Sequence, residues 1–483
     1  MTVRISKALV CFTLALPFVA QAQTNWVAGP LYSEFRLTLS SGYRTEAAGP
    51  LYFSQLAETA QSWGIPPLFD YIHDPGVEST EFDLAYPLLT YDGYGKEYRF
   101  QILQLWNVAG GQSQDGTEAR RTTLFPIYFQ QRSPKPEENY TALVPFYGHL
   151  ENRLFHDEIR FVMFPFYAET RKKDVVTDNY LYPFFHLRHG NELTGWQLWP
   201  LYGQEYKALT WKTNQLDESV PIGGHEKFFV LWPFYTRTWT GLGTTNPQSM
   251  FTVLPLYSQT RSPLRDSTSY GWPLGFTVTD DREKKYHEYD FPWPLFVFAR
   301  GEGKTVNRVF PLFSRASNGT LESDWYLWPL YKYNAIHSPP LDRQRTRYGL
   351  FIYSDTQVRN TESGESSRRV DFWPFYTYRR ELDGSTHLHA LAVLEPFLPN
   401  VKAIEREYSP LWSLWRAERN PKTGAASQSL LWNLYRRESA PDAKKVSLLF
   451  GLFQYESNRA GGRVRLCYIP LGKAQPLPLD AKP

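Results

Sequence analysis

Cysteine is almost absent from this sequence. The 483 residues include 2 cysteines, and Cys11 lies in an N-terminal segment that we expect to be removed. Cys467 alone then remains, so a disulfide within the chain is excluded. Between Leu466 and Tyr468, this cysteine is typical of a small core residue rather than a nucleophile. We therefore expect the fold to be stabilised by packing and hydrogen bonding.

An excess of charge of one sign is also missing. Lys plus Arg is 52 and Asp plus Glu is 49, which leaves a formal net charge of +3. That balance gives no electrostatic basis for binding nucleic acid or an anionic membrane surface. Hydrophobic residues make up 42% and charged residues 21%, as in globular proteins rather than disordered ones. Nucleic acid is therefore not expected as a partner.

Long hydrophobic runs are missing except near the N-terminus. Arg4 and Lys7 precede an apolar stretch at residues 8–20, and Ala20-Gln21-Ala22 completes it. A stretch of about 13 residues is too short to cross a bilayer, which takes about 20. Residues 1–22 are therefore predicted to be a signal peptide. We expect an exported protein of the periplasm or outer membrane of a Gram-negative-type bacterium.

The sequence also lacks the common motifs of catalytic and metal sites. It contains no His-Glu-x-x-His, Cys-x-x-Cys, Gly-x-Ser-x-Gly or Walker motif. We therefore expect no enzymatic activity, no cofactor and no metal. His387 and His389 are the pair most like metal ligands, because alternate residues share one face of a strand. Their position beside Asp383-Gly384 instead favours an exposed hairpin face.

Acidic residues do not single out a site either. The segment 73–83 is rich in Asp and Glu but lacks the spacing of an EF-hand calcium loop. Glu288 and Asp290 could in principle serve glycoside hydrolysis. With 49 acidic residues spread along the chain, however, no pair stands out.

Aromatic residues and proline are abundant. Aromatics make up 17% of the chain, and there are 36 prolines. Aromatic side chains favour strands, and frequent proline argues against long helices. The prolines recur in one motif, an aromatic or aliphatic residue, Pro, Leu/Phe/Ile, then Tyr or Phe. Eleven clear copies have their proline at positions 126, 145, 165, 183, 200, 233, 255, 294, 311, 329 and 374.

The proline position of the motif is defined by backbone shape. Three further copies carry Gly349, Asn433 or Gly451 at that position. Pro, Gly and Asn share a suitability for turns and irregular backbone. We therefore predict a corner or bulge there, where the ladder of a sheet is interrupted.

The spacing of the motif predicts an all-β fold. Successive prolines are mostly 17 to 22 residues apart, and polar, turn-like segments lie between them. Two strands of about 6 residues and a turn fill such a unit. A single strand of about 12 residues through each proline is the other interpretation. Both give an antiparallel meander of about 18 repeats of about 19 residues, stacked as a solenoid- or propeller-like array.

A large closed outer-membrane β-barrel is the alternative architecture. The signal peptide, the β periodicity and the abundant Tyr and Trp all suit it. Against it, each proline would leave a carbonyl without its ladder partner, which costs several kcal/mol in lipid. The strict alternation of lipid-facing apolar and lumen-facing polar residues is also missing. We therefore favour the stacked array.

The domain organisation follows from the repeat. We predict a signal peptide at residues 1–22, an N-terminal lead-in or cap at 23–80, the β-repeat domain at 81–475 and a C-terminal tail at 476–483. In the lead-in, "SQLAETAQSWG" (54–64) is the best candidate for a helix.

Tryptophans outside the motif are the candidate contact residues. Aromatics that recur in every unit are expected to form a structural core. Trp239, Trp412 and Trp415 lie away from the main motif position and are candidates for contact with a ligand or partner. Envelope proteins or glycans are the expected partners, and association with a membrane is open.

The chain resembles a set of uncharacterised exported bacterial proteins with repeated Trp-Pro-Leu/Phe-Tyr units. The resemblance rests on the signal peptide, on "YPLLTYDGYGKEYRF" (86–100) and on the motif copies that cover residues 86–471. It implies no activity and no functional residues. We expect a cell-envelope β-repeat protein with a structural or scaffold role. The alternatives are an outer-membrane barrel for transport and a carbohydrate-binding protein.

Overall fold

The computed structural model describes residues 31–112, 116, 118–213, 217–459 and 461–471. The predicted signal peptide and C-terminal tail lie outside the described residues. Within them the chain is all-β, with 45 strands and a few short helical turns. The predicted fold class is therefore confirmed.

The strands of the first half of the chain are short and follow one another closely. The first eleven are β1 (Tyr32–Arg36), β2 (Gly42–Ala47), β3 (Tyr52–Ala57), β4 (Ala60–Ile65), β5 (Phe69–Asp74), β6 (Ser79–Leu84), β7 (Leu89–Tyr94), β8 (Glu97–Ile102), β9 (Trp106–Gln112), β10 (Glu118–Leu124) and β11 (Tyr128–Arg132). The next eleven are β12 (Tyr140–Leu143), β13 (Tyr147–Arg153), β14 (His156–Val162), β15 (Tyr167–Lys172), β16 (Val175–Tyr180), β17 (Phe185–Gly190), β18 (Leu193–Leu198), β19 (Tyr202–Lys207), β20 (Thr210–Thr213), β21 (Ser219–Ile222) and β22 (Gly224–Val230).

The second half of the chain continues in the same way. Its first twelve strands are β23 (Tyr235–Leu242), β24 (Gln248–Val253), β25 (Tyr257–Arg261), β26 (Arg265–Tyr270), β27 (Phe276–Asp281), β28 (Tyr286–Asp290), β29 (Phe296–Gly301), β30 (Thr305–Val309), β31 (Phe313–Ser317), β32 (Leu321–Tyr326), β33 (Tyr331–Ser338) and β34 (Leu341–Tyr348). The last eleven are β35 (Tyr353–Asn360), β36 (Ser366–Phe372), β37 (Tyr376–Arg380), β38 (Thr386–Ala390), β39 (Trp415–Asn420), β40 (Ala425–Leu430), β41 (Tyr435–Ala440), β42 (Ala443–Leu448), β43 (Phe453–Asn458), β44 (Gly461–Leu466) and β45 (Ile469–Leu471).

All but two of these strands form one antiparallel sheet. Each strand pairs with the strands before and after it, and only the hairpin β20–β21 stands apart, as an insert between β19 and β22. In the described residues β1 pairs only with β2, and β45 only with β44. The meander is therefore open, and the alternative of a closed barrel is wrong for the described chain.

Strand length confirms the two-strand interpretation of the repeat. Most strands have 5 to 7 residues, and each motif proline lies in the turn between two of them. Tyr167, the last residue of one motif, begins β15, and β16 ends three residues before Pro183 of the next motif. The single long strand through proline is wrong, because the chain reverses direction there.

The two faces of the sheet differ in composition. On one face, which we call the inner face, a cross-strand row runs through Ala142, Gly148, Phe161, Ala168 and Asn179, which are direct partners in successive ladders. Two local apolar clusters on this face are buried, one around Phe161 and one around residues 286–306. The opposite, outer face carries the aromatic residue that begins each motif-derived strand.

The two ends of the meander contact each other through their inner faces. Thr38 Oγ1 donates a hydrogen bond to Ser427 Oγ at 2.7 Å, and Asn433 Nδ2 donates to Glu46 Oε2 at 2.7 Å. Arg406 forms an ion pair with Asp70. We call this contact the seam, between residues 33–86 on one side and 387–454 on the other. It joins segments more than 300 residues apart.

Helical structure in the described residues is limited to short segments. These are the turns Gly49–Leu51, Pro136–Glu138 and Leu449–Gly451, a π-helical turn at Ile404–Tyr408 and α1 at Ser409–Trp412. In this part of the chain, no helix has the length and apolar character needed to traverse a bilayer.

Two sequence predictions fail at this level. The helix expected at residues 54–64 is instead the hairpin of β3 and β4, because pairing with β2 and β5 outweighs the local preference. Cys467 is exposed in the last described turn and not part of a core.

Candidate functional site: the turn edge

Every second turn of the chain lies on the same side of the sheet, where the strands end. We call this row of strand ends and turns the turn edge; it is not an edge strand. It comprises twenty turns: 48–51, 66–68, 85–88, 103–105, 125–127, 144–146, 163–166, 181–184, 199–201, 231–234, 254–256, 271–275, 291–295, 310–312, 327–330, 349–352, 373–375, 431–434, 449–452 and 467–468. None of them contains Asp, Glu, Lys, Arg or His. The segment 391–414, which holds the longest helical turns, interrupts the series.

The proline of the motif shapes these turns. Phe166 donates its backbone N–H to the Met163 carbonyl at 2.8 Å, and Leu330 donates to Leu327 at 2.8 Å. The peptide bond before Pro165 is cis, as in a type VI turn. The same closing bond forms where proline is replaced.

The turns without proline form the same closing hydrogen bond through a left-handed backbone conformation. Leu434 donates its N–H to the Leu431 carbonyl at 2.9 Å, across Trp432 with φ 51° and Asn433 with φ 70°. Asparagine tolerates this conformation better than most residues. The prediction that this position is defined by backbone shape is therefore confirmed, and the irregularity is a turn.

Neighbouring turns are hydrogen-bonded to each other. Leu181 and Tyr182 donate their N–H groups to the carbonyls of Phe166 and Pro165, at 2.8 and 2.7 Å. Equivalent bonds join most successive turns of the edge. The ladder thus continues beyond the strands, and in turns 163–166 and 181–184 every backbone N–H group is bonded within the sheet.

Side chains of the turn edge point into solvent. The residue after proline is exposed to 61% in Phe166, 70% in Leu256 and 77% in Leu274. The preceding aromatic residue is exposed too, as in Trp232 and Trp328. The prediction that the motif aromatics form a buried core is therefore wrong at these positions, because each unit pairs side by side with its neighbours and does not stack on top of them.

A band of aromatic rings follows the turn edge on the outer face. Tyr326, Tyr331, Tyr348 and Tyr353 lie in a continuous row with ring centroids 5.2 to 5.7 Å apart. Charge appears two residues further along the strands, where Arg368 binds Asp355 at 2.7 Å.

The opposite edge of the sheet is polar by comparison. Its connections include Lys173-Asp174, Asn191-Glu192, the run 282–285 and the segment 361–365. The sheet is thus amphipathic along the strand direction, with an uncharged edge and a charged one separated by about 20 Å of strand.

The three tryptophans predicted as contact residues are not brought together. Trp239 is half-buried on β23, with the Arg237 guanidinium 4.2 Å from its ring centre. Trp412 donates Nε1–H to Glu395 Oε1 at 3.3 Å within the seam. Trp415 stacks on Tyr435 at 6.2 Å. None of them belongs to the turn edge. The exposed aromatic residues of the turn edge are those of the repeated motif itself.

The histidine pair lies inside the seam and not on an exposed hairpin face. His387 and His389 do share a face, with rings 6.4 Å apart, and both line a cavity of about 140 Å³. His389 is only 4% exposed. Burial, helped by the charges of His387 and Arg416, lowers the pKa of His389 to about 3, so it stays neutral near pH 7.

The other clusters of charged groups form ion pairs. His149 Nε2 lies 2.7 Å from Glu151 Oε1 and 3.0 Å from Glu158 Oε1, and Arg160 binds Glu158 as well. On β28 burial and the charge of Glu288 raise the pKa of Asp290 to about 6.

The acidic segment 73–83 does not converge on one point. Asp74 accepts a hydrogen bond from Thr59 at 2.7 Å, in an exposed turn. Asp83 instead lies beside Asp70 and Glu407, in the seam. Sequence reasoning missed this group because Glu407 is more than 300 positions away.

Comparison with known proteins does not assign a family. No known family model matches the chain, and no curated protein matches it.

Proposed function

We propose that this is an exported, non-catalytic scaffold of the cell envelope that attaches to lipid through its turn edge. The proposal rests on the series of twenty uncharged turns along the turn edge of a sheet that carries charged residues elsewhere. Exposed apolar patches of this extent are rare on soluble monomers and mark interaction surfaces. Export itself rests on the predicted signal peptide.

The backbone of the turn edge favours lipid as the occupant. In hydrocarbon, every unsatisfied N–H or C=O costs several kcal/mol. Here the closing bonds of most turns and the bonds between neighbouring turns satisfy many N–H groups internally, as at Phe166 and Leu181. A surface in contact with hydrocarbon needs its backbone groups bonded within the protein, because hydrocarbon has no donors or acceptors. A protein partner could supply such hydrogen bonds itself.

Length and composition support the same occupant. At about 4.8 Å per strand, the twenty hairpins give the uncharged edge a contour length of roughly 200 Å along the ladder, on a sheet whose two ends meet at the seam. Trp, Tyr and Phe accumulate next to Leu, as they do at the boundary between lipid chains and headgroups. On the outer face, charged residues begin only beyond this band.

Vesicle flotation tests the proposal. The wild-type mature protein is expected to float with neutral phosphatidylcholine vesicles. A variant with Phe166→Asp, Leu256→Asp and Leu274→Asp should bind at least about tenfold more weakly, because each change removes about 1 kcal/mol or more of apolar transfer. All three residues are exposed, so the fold should be retained.

A matched control comes from the opposite edge. Phe155 is 93% exposed in the turn between β13 and β14, and Phe155→Asp should float like the wild type. Loss of binding in this control equal to the loss in the triple variant would contradict the proposal. So would a wild-type protein that stays unbound, or one that is retained on glycans and not on vesicles. Fractionation of cells expressing the full chain tests export separately.

A further inference from the structure

Three buried carboxylates meet in the seam. Asp70 on β5 and Asp83 on β6 are direct partners in the ladder, so their side chains lie on the same inner face. Glu407, in the π-helical turn Ile404–Tyr408, approaches them from the other side of the seam. One carboxylate oxygen from each residue lies within 4.8 Å of the other two, and all three residues are buried.

The side chain of Arg406 is the positive charge that contacts this group. Arg406 binds Asp70 through Nε and Asp83 Oδ2 through Nη2, the latter at 3.1 Å. Its Nη1 also lies 3.5 Å from Glu81, which is partly exposed. When all three carboxylates are ionised, the single guanidinium leaves two negative charges uncompensated, and an unpaired buried charge costs several kcal/mol.

The same group contains an oxygen without a hydrogen-bond partner. Glu407 is 0% exposed, and its Oε1 has no hydrogen-bond partner among the described residues. Its Oε2 accepts the backbone N–H of Tyr86, at 3.3 Å. A buried carboxylate oxygen without a donor is uncommon in folded proteins, and a bound water or ion is one explanation for it.

We propose that Asp70, Asp83 and Glu407 bind a hard divalent cation of the Ca²⁺ or Mg²⁺ class. Carboxylate oxygens are the ligands that these ions prefer, and two positive charges match the excess of the group. Arg406 then orients the two aspartates from outside the coordination shell. Because the ligands come from both sides of the seam, the cation fastens the two ends of the sheet together.

Terbium luminescence and thermal unfolding test this site in the full mature chain. Tb³⁺ binds calcium-type sites and emits when a nearby aromatic ring transfers energy to it. Tyr408 directly follows the ligand Glu407, and its ring lies 6.2 Å from that of Trp412, so both rings are close enough to sensitise the ion. After EDTA dialysis, Tb³⁺ should give sensitised emission that Ca²⁺ or Mg²⁺ displaces, and the better competitor identifies the ion. The same ion should raise Tm.

Glu407→Gln should weaken Tb³⁺ binding roughly tenfold or more, because it removes a charged ligand, and should abolish the Tm increase. Glu405→Gln is the matched control, since Glu405 lies two residues away and pairs with Arg379 at 3.2 Å. It should keep both responses. A wild-type protein without sensitised emission, or equal responses in both variants, would overturn the proposal. The emission experiment needs only the wild type, so an absence of emission overturns the proposal even if Glu407→Gln does not fold.

Discussion

Replacing Glu46 by Gln should destabilise the seam by about 3 kcal/mol, roughly the stabilisation of a buried, paired carboxylate. Glu46 is buried, and its Oε1 lies 2.9 Å from Arg44 Nε and 3.5 Å from Arg416 Nη1. Its Oε2 accepts the hydrogen bond from Asn433 at 2.7 Å. Glutamine keeps the size of the side chain but leaves the arginines without their buried counter-charge.

The magnitude follows from the pKa of Glu46. Burial alone would raise it, but Arg416, Arg44 and Arg436, with the Asn433 hydrogen bond, lower it from 4.5 to about 2. A shift of that size corresponds to about 3 kcal/mol of folding stability. Removing one partner of a buried ion pair typically costs about 3–5 kcal/mol, in agreement.

The sign of the pH dependence is fixed by the lowered pKa. Glu46 contributes its full stabilisation above pH 4.5 and loses it as the pH falls from 4.5 towards 2. Urea unfolding at pH 7 and near pH 2.5 measures this directly. The difference between wild type and Glu46→Gln should be about 3 kcal/mol at pH 7 and should shrink strongly at the acid end.

A control and a contrary result complete this experiment. Glu58 is exposed in the turn between β3 and β4, and Glu58→Gln should change stability by less than about 0.5 kcal/mol. A loss below about 1 kcal/mol in Glu46→Gln at pH 7 would refute the reasoning, as would a difference that stays constant down to about pH 2.5.

Three further expectations concern packing and binding. Gly148→Ala should lower the free energy of unfolding by about 1–3 kcal/mol, because an added Cβ would lie 2.2 Å from the Phe161 ring. Phe161→Leu in the same chain should recover part of this loss. An unchanged midpoint of urea unfolding in Gly148→Ala would contradict the expectation. Phe53→Ala should cost about 3–5 kcal/mol, since Phe53 is fully buried beneath the Arg44 guanidinium; a urea-unfolding loss below about 1 kcal/mol would count against the packing described. Vesicle binding should be equal at low and high salt and on neutral and anionic lipid, because the turn edge has no charged residue; a strong salt dependence in flotation would locate the contact elsewhere.

Local features of the fold could be predicted from the sequence. The motif spacing indicated strands of about 6 residues, and the exchange of Pro for Gly349 or Asn433 indicated a position defined by backbone shape. Both inferences depend on residues close in the chain, where turn geometry and strand period act directly.

Contacts between distant segments could not be predicted. Burial of the motif aromatics depends on whether units stack or pair edge to edge, and both arrangements give the same pattern along the chain. The seam joins Glu46 to Arg416, and Asp70 to Arg406, across more than 300 residues. His389 lines a cavity with the distant Arg44 and also with Glu395 and Ser409, which are nearer in the chain.

The most direct test of the account places a reporter on each edge of the sheet. In a Cys467→Ser background, Leu274→Cys and Phe155→Cys each receive an environment-sensitive fluorophore, and the protein is mixed with neutral vesicles whose acyl chains are brominated. The label at position 274 should shift to shorter wavelength and be quenched, while the label at 155 stays unchanged. Equal responses at the two positions, or no quenching at 274, would contradict attachment through the turn edge.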